Sequence, residues 1–175
     1  MTPRCHNRCM LVSAEVLRTH LDYTAWASQR LIAAAAQLSP EHLHHDFGTA
    51  HRDILETLVH IFAADRIWLA RLTGAPQSVF VTDSDRSLTF LQDAWPQLHN
   101  NWKEWARSLR NDSVSSALTY KDLKGNEWTQ PLWQLVLHVV NHGSHHRGQV
   151  SGFLRSLGHT PPILDLVYYY RELIP

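Results

Sequence analysis

The segment VVNHGSHHRGQ, residues 139–149, carries the strongest structural signal in this chain. It lies within a helical pattern that begins at Pro131, runs to about Leu157 and is closed by Gly158. Residues four apart lie one above the other on the same face of a helix, so His142 and His146 can direct two imidazoles at one point. Two imidazoles supply half of the ligands of a tetrahedral metal site.

The histidines of this helix leave the register of the metal site open. His138, His142 and His146 follow one another at intervals of four and share one face of the helix, so either pair can bind a metal. His145 points about 100° away from His146 and is expected at the surface or in a supporting role. His60, in another helical pattern, can supply a third imidazole. Three histidines would leave the open coordination position that a catalytic metal needs.

Three further apolar-periodic segments predict long helices. They run from about Ser13 to Gln37, from Ala50 to Leu72 and from Ser87 to Arg110. Pro96, inside the last of them, predicts a kink or a later start. Ser116–Tyr120 and Glu127–Gln130 flank a glycine-containing turn, which predicts a short β-hairpin. The pattern as a whole predicts an all-α four-helix bundle with a hairpin between its third and fourth helices and a C-terminal tail.

Length and composition bound the class of protein. The chain has 175 residues, enough for one domain, which is expected to span residues 11–175. The polar, aperiodic residues 1–10, which hold Cys5 and Cys9, are expected to form a disordered extension, with Met10 as the natural start. Sixteen basic residues balance sixteen acidic ones, which argues against nucleic acid and anionic membranes as partners. Without an apolar span or a signal peptide, the protein is expected to be cytoplasmic.

Two segments resemble the DinB-like (DinB/YfiT) superfamily. They are LHVVNHGSHHRGQ at residues 137–149, the more specific of the two, and HIFAADRIW at residues 60–68. The similarity extends over residues 13–172. It implies a four-helix bundle that forms homodimers and holds a divalent metal, usually zinc or nickel. By motif position the metal ligands are His60, His142 and His146, which sets the register against His138.

The chemistry of such a site predicts an enzyme. Three neutral imidazoles leave a divalent ion its full charge, so a bound water or thiol would lose its proton near neutral pH. The resemblance adds transferases and isomerases that use bacillithiol, mycothiol or glutathione-like thiols. We therefore predict a metal-dependent S-transferase or isomerase that acts on a small molecule through a low-molecular-weight thiol. The alternatives are a metal-dependent hydrolase and a non-catalytic, damage-inducible metal-binding protein.

Polar residues near the predicted ligands are candidates for other roles. Asp65 lies five residues after His60, about 140° around the helix. It is therefore expected to form a surface or interhelical salt bridge rather than bind the metal. Arg147 is expected to pair with Asp165 or Glu172 and so to hold the tail over the end of the bundle.

Three residues are candidates for shaping the pocket. His138 is expected to be buried and hydrogen-bonded one turn below the site, as a candidate proton relay. Tyr23 and Trp26, on the first helix, are expected to line the pocket. The tryptophans at positions 95, 102 and 105 have the spacing of a core or a dimer seam.

Overall fold

The computed structural model describes residues 12–75 and 81–174. The predicted N-terminal extension, with Cys5, Cys9 and Met10, lies outside the described residues. Within them the chain forms six α-helices, a 3₁₀ turn at Asp83–Asp85 and one antiparallel hairpin, so the predicted all-α bundle with a hairpin is confirmed. The helices are α1 (Ala14–Ala35), α2 (Pro40–Leu43), α3 (Ile54–Thr73), α4 (Leu88–Arg107), α5 (Leu132–Ser156) and α6 (Leu166–Glu172), and the strands are β1 (Ala117–Lys121) and β2 (Glu127–Pro131).

Side-chain caps set where the helices begin. Ser13, Ser39 and Ser87 each accept a hydrogen bond from a backbone N–H in the first turn of the helix that follows. Asp53 does the same for α3, accepting from Glu56 N at 2.7 Å. The helix therefore starts at Ile54 rather than at residue 50, and the preceding residues form a turn.

Helix α4 continues through its proline. It begins at Leu88 and keeps helical structure through Pro96 to Arg107, so the proline does not delay its start. Trp95 and Trp102 are buried in the core. The apolar face of α4 is thus directed into the bundle on both sides of the proline.

The packing order of the long helices positions the site. Helix α1 packs against α4 and α5, and α3 packs against the same two helices, whereas α1 and α3 touch little. Helices α1 and α3 therefore lie diagonally across the bundle, and α3 and α5 are neighbours. Their apolar faces form one core, in which the fully buried side chains include Leu17, Leu31, Ile54, Leu58, Ile61, Leu91 and Val136.

The hairpin and the tail complete the fold. Thr119 pairs with Thr129 across the hairpin, and their hydroxyl oxygens lie 2.8 Å apart. Gly125 adopts a φ of 86° in the turn, where a side chain would be strained. The tail contains the short helix α6, which the sequence did not predict. None of the helices within the described ranges combines the length and apolar character needed to cross a membrane.

Candidate metal centre

Four histidines meet between α3, α5 and the turn that precedes α3. His60 comes from α3, and its Nε2 lies 3.0 Å from Nε2 of His142 on α5. The ring of His146, also on α5, lies 4.5 Å from each of those two rings, centroid to centroid. His51, in the turn, stacks on His60 at 3.9 Å. The structure thus brings the three predicted ligands together and adds a fourth imidazole.

His51 takes the place of the predicted ligand His142 in the group of three histidines that meets the geometry of a metal site. His51, His60 and His146 offer ligand nitrogens that all lie within 4.8 Å of one another, so this group could hold a metal ion. It contains nitrogen donors alone, a set that suits zinc, nickel, cobalt, copper and iron. The 3.0 Å contact between His60 and His142 is close to the roughly 3.3 Å that separates two nitrogens on a tetrahedral zinc ion. The residues therefore fit a divalent metal.

Sequence reasoning missed His51 because it extended α3 back to residue 50. In a helix, residues nine apart point to opposite sides, so His51 would have faced away from His60. Because the carboxylate of Asp53 caps the N-terminus of α3, the helix begins after His51. His51 therefore lies in a turn, which directs its ring toward the other histidines. A signal was present, since Asp53 followed three residues later by Glu56 is typical of a helix start.

Burial keeps the clustered imidazoles neutral. Desolvation, reinforced by the neighbouring histidines, lowers the pKa of His60 to about 4 and that of His142 to about 3. Burial also lowers the pKa values of His51 and His146 below the ordinary histidine value. At neutral pH all four rings are therefore uncharged, the state in which histidine binds a metal.

A glutamine orients one of the rings. Nδ1 of His146 lies 2.7 Å from Oε1 of Gln149, one turn further along α5. If Nδ1–H donates to this amide oxygen, the lone pair is on Nε2, and metal-binding histidines are commonly oriented in this way. His145 is exposed, as predicted from its angle on the helix.

His138 continues the line of histidines toward the hairpin. It is exposed and, within the described residues, its ring makes no hydrogen bond, so the expectation of a buried and hydrogen-bonded residue is wrong. The ring lies 5.9 Å from that of His142 and 5.1 Å from that of Trp68. Trp68 also packs against Tyr120 of β1, and the guanidinium carbon of Arg71 lies 4.6 Å from the centroid of the Trp68 ring. The contact with Trp68 covers part of the His138 ring, and the rest of the residue is exposed to solvent.

Arg147 is buried beside the cluster rather than paired with the tail. Its side chain is 1% exposed, and Nη2 donates to Ser144 Oγ at 3.1 Å while Nη1 lies 3.4 Å from Ser28 Oγ. The guanidinium lies over the ring of Tyr23 at 5.4 Å. A side chain on Gly143 would place its Cβ 2.7 Å from Nη1, so the glycine makes room for the arginine. The predicted pairing with Asp165 or Glu172 is therefore wrong, because the arginine folds back toward α1.

Residues of α1 hold the tail instead. Glu172 accepts from Trp26 Nε1 at 2.7 Å and from Arg30 Nη2 at 2.5 Å. The hydroxyl of Tyr23 donates to the carbonyl of Leu164 at 2.9 Å. Tyr23 also lines a cavity of about 460 Å³ between α1, α5 and the tail. Tyr23 and Trp26 thus anchor the C-terminal segment.

Asp65 is a core residue. It is 1% exposed and accepts from Trp95 Nε1 at 3.1 Å, while Trp102 Nε1 donates to its carbonyl oxygen. Burial raises the pKa of Asp65 to about 7 and lowers that of His99, 3.9 Å away, to about 3. His99 is therefore neutral at pH 7 and forms no ion pair with Asp65. The predicted salt bridge is replaced by hydrogen bonds from two indoles of α4.

Taken together, these features define a helical bundle with a histidine cluster that could hold a metal ion. The model of the DinB family matches residues 10–173, so the chain belongs to the DinB family. The chain is also similar to "Protein DinB" of Bacillus subtilis (strain 168), with 20% identity over 156 residues that cover 85% of this chain and 90% of that protein. Family membership and the histidine cluster both fit a metal-binding DinB-like protein.

Proposed function

We propose that this protein is a divalent-metal-dependent enzyme that transfers or isomerises a small substrate through an activated low-molecular-weight thiol. The carrying observation is the cluster of neutral imidazoles from α3 and α5, in which His60 Nε2 and His142 Nε2 lie 3.0 Å apart. His60, His142 and His146 are proposed as the core ligands of zinc or nickel. These three residues come from helices that the bundle core holds rigidly, as a preorganised metal site requires.

The chain itself prepares the site for this chemistry. Neutral ligands do not cancel the charge of a divalent ion, and such an ion, when bound, lowers the pKa of a coordinated thiol or water. Residues 12–175 contain no cysteine. The two cysteines of the chain, Cys5 and Cys9, lie outside the described residues, and the proposed thiol nucleophile comes from a small molecule. The homodimer implied by the resemblance stays a prediction, which light scattering of the purified protein tests.

One observation favours a second candidate, a non-catalytic metal-binding protein. His51 adds a fourth imidazole to the cluster, and four protein ligands are typical of closed, structural metal sites. In that case the metal would stabilise the helical bundle, or the protein would act as a metal sensor. The two candidates differ in whether a small molecule can reach the metal.

Metal analysis tests the proposed site. Protein purified without a histidine tag is compared as wild type, His142→Ala and His145→Ala, the last being an exposed control on the same helix. We expect about one metal per chain in the wild type and the control, and substantially less in His142→Ala, which keeps only His51, His60 and His146. A verified, unstripped wild type that holds no metal and takes none up would refute the proposal.

An activity assay then separates the candidates. The metal-loaded protein is supplied with glutathione or cysteine and an electrophile such as 1-chloro-2,4-dinitrobenzene, and thioether formation is followed with and without a chelator. Metal-dependent acceleration supports the thiol-dependent enzyme. Acceleration of p-nitrophenyl acetate hydrolysis alone would support the hydrolase, and no acceleration in either assay would support the non-catalytic protein.

A further inference from the structure

We infer that His51 is a displaceable fourth metal ligand, which occupies the coordination position that a thiol substrate would take. This inference rests on the proposed metal site. His51 differs from the other three histidines because it is carried by a turn rather than by a long helix of the bundle. With His51 bound, the metal would have no free coordination position at rest. Movement of the turn would free that position for the substrate.

The position of His51 supports direct ligation. Its ring stacks on His60 at 3.9 Å and lies 5.2 Å from the ring of His146 in an edge-to-face arrangement. Its ligand nitrogen falls within 4.8 Å of theirs. A histidine in a supporting role would accept or donate a hydrogen bond behind a ligand, as Gln149 does for His146. His51 instead lies among the ligand nitrogens.

The backbone beside His51 is held in an uncommon conformation. Arg52 has a φ of 58°, in the left-handed region that residues other than glycine rarely adopt. Three contacts maintain it: Arg52 N donates to Thr49 O at 3.0 Å, Phe47 N donates to Arg52 O at 2.8 Å, and the guanidinium pairs with Asp46 at 3.0 Å. Local strain that the surroundings maintain is a feature of functional sites. Here the strained residue directs its neighbour, His51, toward the cluster.

The turn is anchored at both ends and exposed between them. Phe47 stacks on Phe153 of α5 at 4.0 Å, and Asp53 caps α3. Residues 48–50 and Arg52, between these anchors, are exposed. His51 can therefore leave the metal by a rearrangement of a few residues. Loss of any other ligand would require a long helix to move or a ring to leave its packed position.

The exchange is balanced as a ligand substitution. With a metal bound, the metal–nitrogen bond to His51 would break, a metal–sulfur bond to the entering thiolate would form, and the thiol proton would be released to solvent. No oxidant or reductant is needed. In the absence of thiol, the imidazole of His51 would return and exclude water from the same position.

Cobalt spectroscopy of the full chain tests the inference. Wild type, His51→Ala and His44→Ala, a control for an exposed histidine of the same linker, are loaded with Co(II) and titrated with 2-mercaptoethanol. If His51 occupies the position in about nine-tenths of molecules, its removal should tighten thiol binding about tenfold and change the visible spectrum before thiol is added. The control should match the wild type in both measurements.

Three results would overturn the inference. Equal spectra and thiol affinities in wild type and His51→Ala would show that His51 is not a ligand, while the proposed metal site stood. Loss of all cobalt from folded His51→Ala would make His51 an obligatory ligand rather than a displaceable one. Failure of the wild type to bind cobalt or zinc would remove the proposed function together with this inference.

A measurement without any substitution gives an independent answer. In the zinc-loaded protein, the imidazole nitrogen shifts in 1H–15N NMR spectra distinguish coordinated from free histidines. We expect four coordinated histidines at rest and three after saturation with 2-mercaptoethanol. Three in both states would contradict the inference.

Discussion

Replacing Gly143 with alanine should destabilise this protein, although the same change inside a helix normally stabilises it. The new Cβ would lie 2.7 Å from Arg147 Nη1, too close for a buried guanidinium to stay in place. Displacement would break the 3.1 Å hydrogen bond from Nη2 to Ser144, and a hydrogen bond of a charged group contributes about 1.5–3 kcal/mol. Alanine recovers about 1 kcal/mol of helix propensity. The free energy of unfolding should therefore fall by roughly 0.5–2 kcal/mol.

The assay is urea unfolding followed by circular dichroism, with Gly152→Ala as the matched control. Gly152 lies in the same helix, and nothing would lie within 4 Å of an added Cβ there. This control should be stabilised by about 1 kcal/mol, so the two substitutions should change stability in opposite directions. In thermal unfolding, Gly143→Ala should lower Tm by roughly 1–8 °C.

A double variant identifies the cause of the effect. With Arg147→Met in the background, the obstructing guanidinium is absent, and Gly143→Ala should stabilise by about 1 kcal/mol like the control. If Gly143→Ala stabilised the wild-type protein as Gly152→Ala does, the packing argument would be refuted. A cost that persisted in the methionine background would show that the clash is with another group.

Three further perturbations test other parts of the structure. Zinc at 100 times the wild-type Kd should raise the free energy of unfolding of the wild type by about 2.7 kcal/mol and that of His142→Ala by less, because the variant has lost one ligand; an equal increase in both would place the metal elsewhere. Because burial raises the pKa of Asp65 from 3.8 to about 7, its carboxyl stabilises the fold fully below pH 4, and this contribution is lost as pH rises through 7. The difference in unfolding free energy between wild type and Asp65→Asn should decline over that range in urea titrations, and a constant difference would contradict the shift. Glu172→Gln weakens the bonds from Trp26 and Arg30, so proteolysis should cut the C-terminal segment faster with a change in overall stability below about 1 kcal/mol.

Local patterns account for the parts of the fold that were predicted correctly. The long helices follow from apolar residues that recur every 3.6 positions, and the hairpin from Gly125 between two short strand patterns. The errors at helix ends have local causes as well. Helix α3 begins four residues later than the apolar periodicity predicts, because the side chain of Asp53 caps it at Ile54.

The surroundings of the cluster could not be derived in the same way. Arg147 and Asp65 are charged side chains, and charged residues are rarely fully buried, so both were expected in salt bridges at or near the surface. The structure buries both, with serine hydroxyls around Arg147 and indole N–H groups beside Asp65. Across the helix interfaces, Trp95 is 30 positions from Asp65 and Ser28 is 119 positions from Arg147. A local sequence pattern does not indicate contacts between residues so far apart.

The sequence by itself determined that His142 and His146 share a helical face, because a spacing of four closes one helical turn whatever surrounds it. It also determined the number of long helices and the absence of cysteine from residues 12–175. The tertiary structure decided that α3 lies beside α5, that His60 therefore reaches the pair, and that a turn brings His51 to the same point. The reason is physical: the apolar faces of all four long helices must be buried at once, and that collective condition selects which helices are neighbours and which side chains meet.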